Sequence, residues 1–393
     1  MTTRRRPPLL CFSHLRWDFV WQRPQHLMSR FARDREVYFI EEPLFDPQAG
    51  EPPDGARFAL HLDHGVVVAQ PICRDPGPGQ GARLDEMYAR LTRRLVEERE
   101  LGEYVVWFYT PMLLPAIREL EPSLIVYDAM DELSLFKGAP PELMPRERQL
   151  LQLADIVFTG GVSLGKAKAA LHPNVRAFPS GVEVEHYRRA LDPATVVPPD
   201  LEALPRPRIG FFGVIDERAD LELLAAVARL RPQWSWVLIG PVVKIDPAEL
   251  PCLPNIHYLG QKPYRDLPAY VKGFDVCMMP FALNDATRFI SPTKTLEYMA
   301  AQKPIVSTPV ADVVGSYGQV VRIAGDAAAF VAQVEAALAE TPEDRAARIA
   351  REREILVRSS WDAIAAQMDE LMEEAAARHA TRRAPPRAAA GVV

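Results

Sequence analysis

Runs of consecutive apolar residues punctuate the chain. In the first half they are LLCFSH (9–14), EVYFIEE (36–42), FALHLD (58–63), GVVVAQP (65–71), YVVWFYT (104–110), SLIVYD (123–128) and ADIVF (154–158). RIGFFG (208–213), SWVLIG (235–240), IHYLG (256–260), DVCMMP (275–280) and PIVST (304–308) follow in the second. Short apolar runs of this kind are strands buried on both faces, as in a parallel sheet covered by helices. Between them the apolar residues fall at helical spacing. Arg23-Pro24 opens a helix with Leu27, Met28 and Phe31 on one face, and residues 83–101 form a charged helix with Met87, Leu91 and Leu95 inward. Further helices are predicted from Asp220 to Arg231, over 265–272, and at about 326–339, 342–358 and 361–377. The alternation predicts an α/β fold of doubly wound parallel sheets.

The alternation stops once. LDPATVVPPDLEALPRPR (191–208) is proline-dense and aperiodic and reads as a linker, after which strand and helix resume. A chain of 393 residues holds enough material for two cores. The expected division is a first domain over 1–190, a linker over 191–207, a second domain over 208–360 and a helix over 361–377. A tail over 378–393, mostly Ala, Arg and Pro, is expected to be disordered. In open sheets of this type, ligands sit at the loops that follow the strands.

One such loop leads into the stretch FALNDATRFISPTKTLEYMAAQKPIVST (281–308). Ser291-Pro292 is a helix-start signal, a capping hydroxyl followed by proline. Lys294 and Glu297 then stand three residues apart, on one face of the predicted helix. A lysine near a helix start adds a full charge for a phosphate, and a glutamate one turn on can accept hydrogen bonds from a ribose diol. The pair describes a clamp for a nucleotide diphosphate; an exposed ion pair on an ordinary helix is the alternative. In the first half, Leu15 to Gln22 form an aromatic-rich loop after the first strand, and Thr159 to Ser163 form a second loop of the same type. Asp128 ends a strand and Asp131 follows it. Carboxylates there suit general-base work on a sugar hydroxyl, or the capping of a following turn.

Composition narrows the partners. Net charge is −6, which gives no support to a nucleic-acid partner. Cys11, Cys73, Cys252 and Cys277 lie far apart and read as free thiols of a reducing compartment. No signal peptide is evident. The longest uncharged apolar run, Tyr104 to Ile117, is about 14 residues, short of the roughly 20 that span a bilayer. A cytoplasmic protein is expected, reaching lipid-linked material only from the inner membrane surface. Arg90, Arg93, Arg94 and Arg99 would touch anionic headgroups there or form a solvated helix face. No D-x-D pair is present to hold a divalent ion, so no metal and no cofactor are expected.

The pattern Pro292-x-Lys294-x-x-Glu297-Tyr298-x-Ala300-x-x-Lys303-Pro304-x-Val306 resembles the donor-site helix of GT-B glycosyltransferases similar to glycosyltransferase family 4. SHLRWDFVWQRPQHLMSRF and YDAMDELSLF resemble motifs of a bacterial subgroup that builds cell-surface polysaccharides, and Pro179-Ser-Gly-Val-Glu183 and the segment Gly260 to Tyr270 resemble two more. The resemblance implies two Rossmann-like domains facing across a cleft, with the last helix crossing back. It implies sugar transfer from a nucleotide-diphosphate donor, most simply a UDP-sugar, to a glycan or lipid-linked acceptor. On the donor side it implies Lys294 and Glu297, with Ser291 and Thr293 at the helix start and Arg218 or Lys244 at the phosphates. On the acceptor side it implies Arg16, Trp17, Gln22, Arg23 and Ser163, with His14, Asp128 and Asp131 as catalytic candidates. The family's second glutamate, eight positions before Glu297, is Phe289 here. A nucleotide-sugar epimerase of the same architecture and a non-catalytic binding protein are the alternatives.

Overall fold

The computed structural model describes residues 6–383. The first half runs β1 (Leu9–Phe12), α1 (Arg23–Phe31), β2 (Val37–Ile40), β3 (Leu44–Phe45), β4 (Arg57–Asp63), β5 (Val66–Cys73), α2 (Gly81–Glu98), β6 (Val105–Phe108), β7 (Leu124–Ala129), α3 (Leu143–Leu153), β8 (Ile156–Thr159), α4 (Val162–Ala169) and β9 (Val175–Ala177). Its strands form one sheet in the order β3-β5-β2-β1-β6-β7-β8-β9, parallel throughout, with β4 added antiparallel to β5. In β1, Cys11 stands opposite Phe39 of β2 and Trp107 of β6, so strand order reverses at β1.

The second half runs α5 (Val184–Arg188), α6 (Pro199–Glu202), β10 (Arg208–Phe212), α7 (Leu221–Leu230), β11 (Ser235–Ile239), β12 (Ile256–Tyr258), α8 (Leu267–Gly273), β13 (Val276–Met279), α9 (Lys294–Ala300), β14 (Ile305–Ser307), α10 (Ala311–Tyr317), β15 (Arg322–Ile323), α11 (Ala327–Leu338), α12 (Pro342–Arg358) and α13 (Trp361–Arg383). The sheet order is β12-β11-β10-β13-β14-β15, all parallel, and reverses between β10 and β13. A crevice opens at such a reversal, on the side where the strands end.

Successive residues of a strand face opposite sides, and each sheet therefore carries two apolar layers. Leu10 and Phe12 point into one layer of the first domain, Leu9 and Cys11 into the other. Trp361, Ile364, Met368 and Met372 of α13 complete the second of these layers, so the last helix crosses back to the first domain. Where the chain leaves and re-enters that domain, Val182 bridges Ser360 in parallel and its N–H donates to the Ser359 carbonyl at 2.8 Å.

The structure departs from the sequence reading in four places. Much of 191–207 packs on the second domain: Leu201 is buried, and Asp200 accepts from Lys262 Nζ at 2.8 Å and from the Tyr270 hydroxyl. Helix α9 begins at Lys294, beyond Ser291, and no side chain caps it. Asp312 stands in the first turn of α10, a helix absent from those predicted from the sequence. α13 continues to Arg383, past the predicted tail boundary at 378, and 384–393 lie outside the described residues.

Candidate functional site

A cavity of about 620 Å³ lies between the two domains, where β10 and β11 end. Its floor is backbone. Gly213 and Gly240 follow β10 and β11 with φ of +152° and +147°, and a Cβ on Gly240 would run into the Gly213 carbonyl. Side chains other than glycine rarely adopt such a conformation, and their absence lets a ligand approach the strand ends. Lys294 and Glu297 of α9 stand on one wall. Lys294 Nζ is 2.9 Å from Glu297 Oε2, receives support from Thr293 Oγ1 at 3.2 Å, and lies 4.8 Å above the Phe212 ring. Glu297 is only 7% exposed, and the Lys294 ammonium is the group its Oε2 pairs with. A buried carboxylate balanced by a single lysine is an arrangement ready to be rearranged by a ligand.

The opposite wall comes from the first domain. Trp17 to Trp21 cover the cavity, and Gln261 Nε2 donates to the Phe19 carbonyl at 3.0 Å. Tyr264 closes one end: His186 stacks on it at 4.2 Å, and its hydroxyl donates to Glu183 at 2.8 Å. Glu183 also accepts from Arg30 Nη2 of α1 at 3.2 Å, which ties this end to the first domain.

Several residues expected at the acceptor side are structural. Arg23 and Asp128 form a bidentate pair, Nε to Oδ2 and Nη2 to Oδ1, both 2.9 Å, and Arg23 Nη1 donates to the Phe178 carbonyl at 2.8 Å. Both are fully buried, and the two Asp128 oxygens are occupied, so neither the base nor the sugar-contact role fits. Trp17 borders the cavity but is held there by packing, edge-on against Phe39 with its indole N–H on Asp63 at 2.7 Å. Arg16 turns to the Pro43 carbonyl at 3.0 Å, and the Gln22 backbone N–H meets Gln25 Oε1 as α1 begins. Ser163 and Val162 donate their N–H groups to Asp312 of the second domain at 3.1 and 2.9 Å; this carboxylate, missed in the sequence, joins the domains at the start of α4. Ser291 lies against the same turn, beside Gly161.

Asp131, by contrast, enters no hydrogen bond or ion pair among the described residues, and burial raises its pKa against the pull of Arg218. His14 lies two residues beyond β1; burial, reinforced by Lys244, lowers its pKa to about 4, so it is neutral at pH 7. Arg218 and Lys244 do not line the cavity. Arg218 is held by Asp216 (Nη2 to Oδ2, 2.8 Å), and the two cations sit 5.6 and 4.7 Å from the Phe136 ring of the first domain. No group of three His, Cys, Asp or Glu side chains converges to hold a metal among the described residues. All four cysteines are free thiols, three of them buried.

This architecture has close counterparts. A sucrose-phosphate synthase from Thermosynechococcus elongatus superposes with a TM-score of 0.68 at 16% identity, covering 95% of this chain and 100% of its own. The Escherichia coli trehalose-6-phosphate protein bound with UDP-2-fluoro glucose gives 0.65 at 14% identity over 93% and 99%. Anabaena HepE in complex with UDP gives 0.62 at 14% over 94% and 100%. In sequence, the chain is 25% identical over 312 residues to a Bacillus subtilis protein described as a putative teichuronic acid biosynthesis glycosyltransferase, TuaH, covering 65% of this chain and 77% of that one. Residues 206–340 match the family model described as glycosyl transferases group 1. The chain has the GT-B fold of these proteins, and its second domain matches the glycosyl transferases group 1 model. The matched span contains Gly213, Gly240, Lys294 and Glu297, the floor and one wall of the cavity. Phe289 turns away from a polar role and packs against the apolar core of the first domain. Of the residues that shape the site, the sequence reading missed Gly213, Gly240, Phe136 and Tyr187. The glycines carried a signal, since each directly follows an apolar run.

Proposed function

We propose that the chain binds a nucleotide-diphosphate sugar in this cavity, with uridine diphosphate as the carrier. It moves a hexosyl group to a surface-polysaccharide or lipid-linked acceptor. The observation that carries the reading is the Lys294–Glu297 pair, a half-buried lysine against a buried glutamate above a side-chain-free floor. A diphosphate draws Lys294 toward itself and leaves the Glu297 carboxylate to accept from the ribose. As the bond to the sugar breaks, negative charge grows on the diphosphate, and a fixed ammonium stabilises that state more than the ground state. This chemistry needs no metal. Asp131, whose carboxylate enters no hydrogen bond among the described residues, is the proposed base for an acceptor hydroxyl, and its raised pKa suits it to take a proton. UDP as carrier is supported by the two UDP-containing structures of the same fold, and a cell-surface acceptor by the likeness to TuaH. No helix among the described residues is long and apolar enough to cross a membrane; a lipid-linked acceptor is proposed to be met at the inner membrane surface.

The test is incubation of the pure protein with UDP-glucose, UDP-galactose, UDP-N-acetylglucosamine and UDP-glucuronate, with and without EDTA, reading UDP release. Release that persists under EDTA is the expected result. Absence of any calorimetric signal for UDP itself would overturn the donor reading.

A further inference from the structure

We infer that Tyr187 is a specificity-determining residue of the donor site: its phenol, together with Glu297, reads the pentose diol of the nucleotide. This rests on the donor reading above and deepens it. Tyr187 belongs to α5, in the segment where the chain passes between the domains, and it lines the cavity. Its ring is fixed on three sides. It stacks on Phe212 at 5.9 Å and meets His186 and Tyr264 edge-on at 4.9 and 6.0 Å. The residue is 1% exposed, yet its hydroxyl has no hydrogen-bond partner.

An apolar box built this tightly needs only a phenylalanine. The hydroxyl carries a desolvation cost that, without ligand, no well-formed hydrogen bond offsets. Glu297 Oε2 is buried too, and the Lys294 ammonium at 2.9 Å is what it pairs with. The two groups interact: burial first, then the Glu297 charge and the nearness of its carboxylate to the hydroxyl, push the Tyr187 phenol well above its ordinary pKa, although the two stop short of a well-formed hydrogen bond. The phenol therefore stays protonated and able to donate. A sugar hydroxyl placed between them donates to the carboxylate and accepts from the phenol. A vicinal diol satisfies both groups at once; a pentose lacking it leaves both unpaired, the situation in which a polar site discriminates most strongly.

Calorimetry on the full chain tests this with UDP and 2′,3′-dideoxyuridine 5′-diphosphate, comparing wild type with Tyr187→Phe. The expected result is a loss of about tenfold in UDP affinity, with dideoxy affinity unchanged. The melting temperature of the ligand-free variant should be equal to or above wild type, because an unpaired buried hydroxyl is removed. Equal weakening of both nucleotides, or no change in either, would refute the assignment while leaving the donor reading intact. A wild type that binds neither nucleotide would refute both. A ligand-free Tyr187→Phe that melts below wild type would show the hydroxyl to be structural.

Discussion

Replacing Asp128 by asparagine separates a structural carboxylate from a catalytic one. Arg23 and Asp128 are 2% and 0% exposed and share two hydrogen bonds of 2.9 Å. Asparagine keeps the shape but removes the charge and turns one acceptor into a donor facing the guanidinium. The arginine is then left charged, buried and half-satisfied, a situation that costs about 3–5 kcal/mol. Domain stabilities are about 5–15 kcal/mol, so the loss is a large fraction of the total. For a domain of this size each kcal/mol moves the melting temperature by about 2–4 °C, and a drop of roughly 6–20 °C is expected. Arg23→Met should destabilise similarly, because Asp128 is then the stranded charge. The double variant Arg23→Met with Asp128→Leu should recover much of the loss, since a buried ion pair can be exchanged for apolar contacts. Differential scanning calorimetry reads all three. Asp131→Asn is the control: its carboxylate has no partner, so it should lower turnover at nearly constant melting temperature. An Asp128→Asn protein that melts within about 2 °C of wild type yet turns over no donor would refute the structural assignment and return Asp128 to the chemistry.

Glu297→Gln should weaken UDP binding by about 1–3 kcal/mol, read by calorimetry, whereas Lys294→Ala should depress turnover far more than it weakens binding of uridine, which has no phosphates. Gly240→Ala brings a methyl against the Gly213 carbonyl and forces a φ of +147° on a residue that resists it; loss of UDP binding with the rest of the fold retained by circular dichroism is expected. Glu352 gives a pH signature. Burial, outweighing Arg348, raises its pKa from 4.5 to about 7, so between those values the folded chain holds a proton that the unfolded chain has released. Its contribution to stability is therefore lost as pH rises from 4.5 to 7, by roughly 3 kcal/mol. Urea melts of Glu352→Gln should gain on wild type by about that amount across the window, and a constant difference would contradict the assignment.

The sheets were legible because burial on both faces writes itself as uninterrupted apolar runs, and every strand long enough to show such a run was found. The Lys294–Glu297 pair was legible for a related reason: three residues apart on a helix is a local geometry, and local geometry is what spacing reports. Arg23 and Asp128 are 105 positions apart, and nothing near either of them shows that each cancels the other. Asp312 reads as a loop acid until the start of α4 from the other domain is placed against it. Prolines in 191–207 signalled a linker, but Leu201 supplies enough apolar surface to bind part of that stretch to the second domain. Ser291-Pro292 carried a helix-start signal, yet the segment is needed beside Gly161, and the helix begins later. Tertiary contact overrode a local preference worth about 1 kcal/mol.

The bridge between Val182 and Ser360 has a mechanical meaning. Both passages of backbone between the halves run side by side there, like the spine of a book. A motion that opened the cavity would swing about that line, parting Phe19 from Gln261 and the start of α4 from Asp312. A reducible cross-link between the Phe19 and Gln261 positions would hold the covers shut, and adding a thiol would let the nucleotide in or out on command.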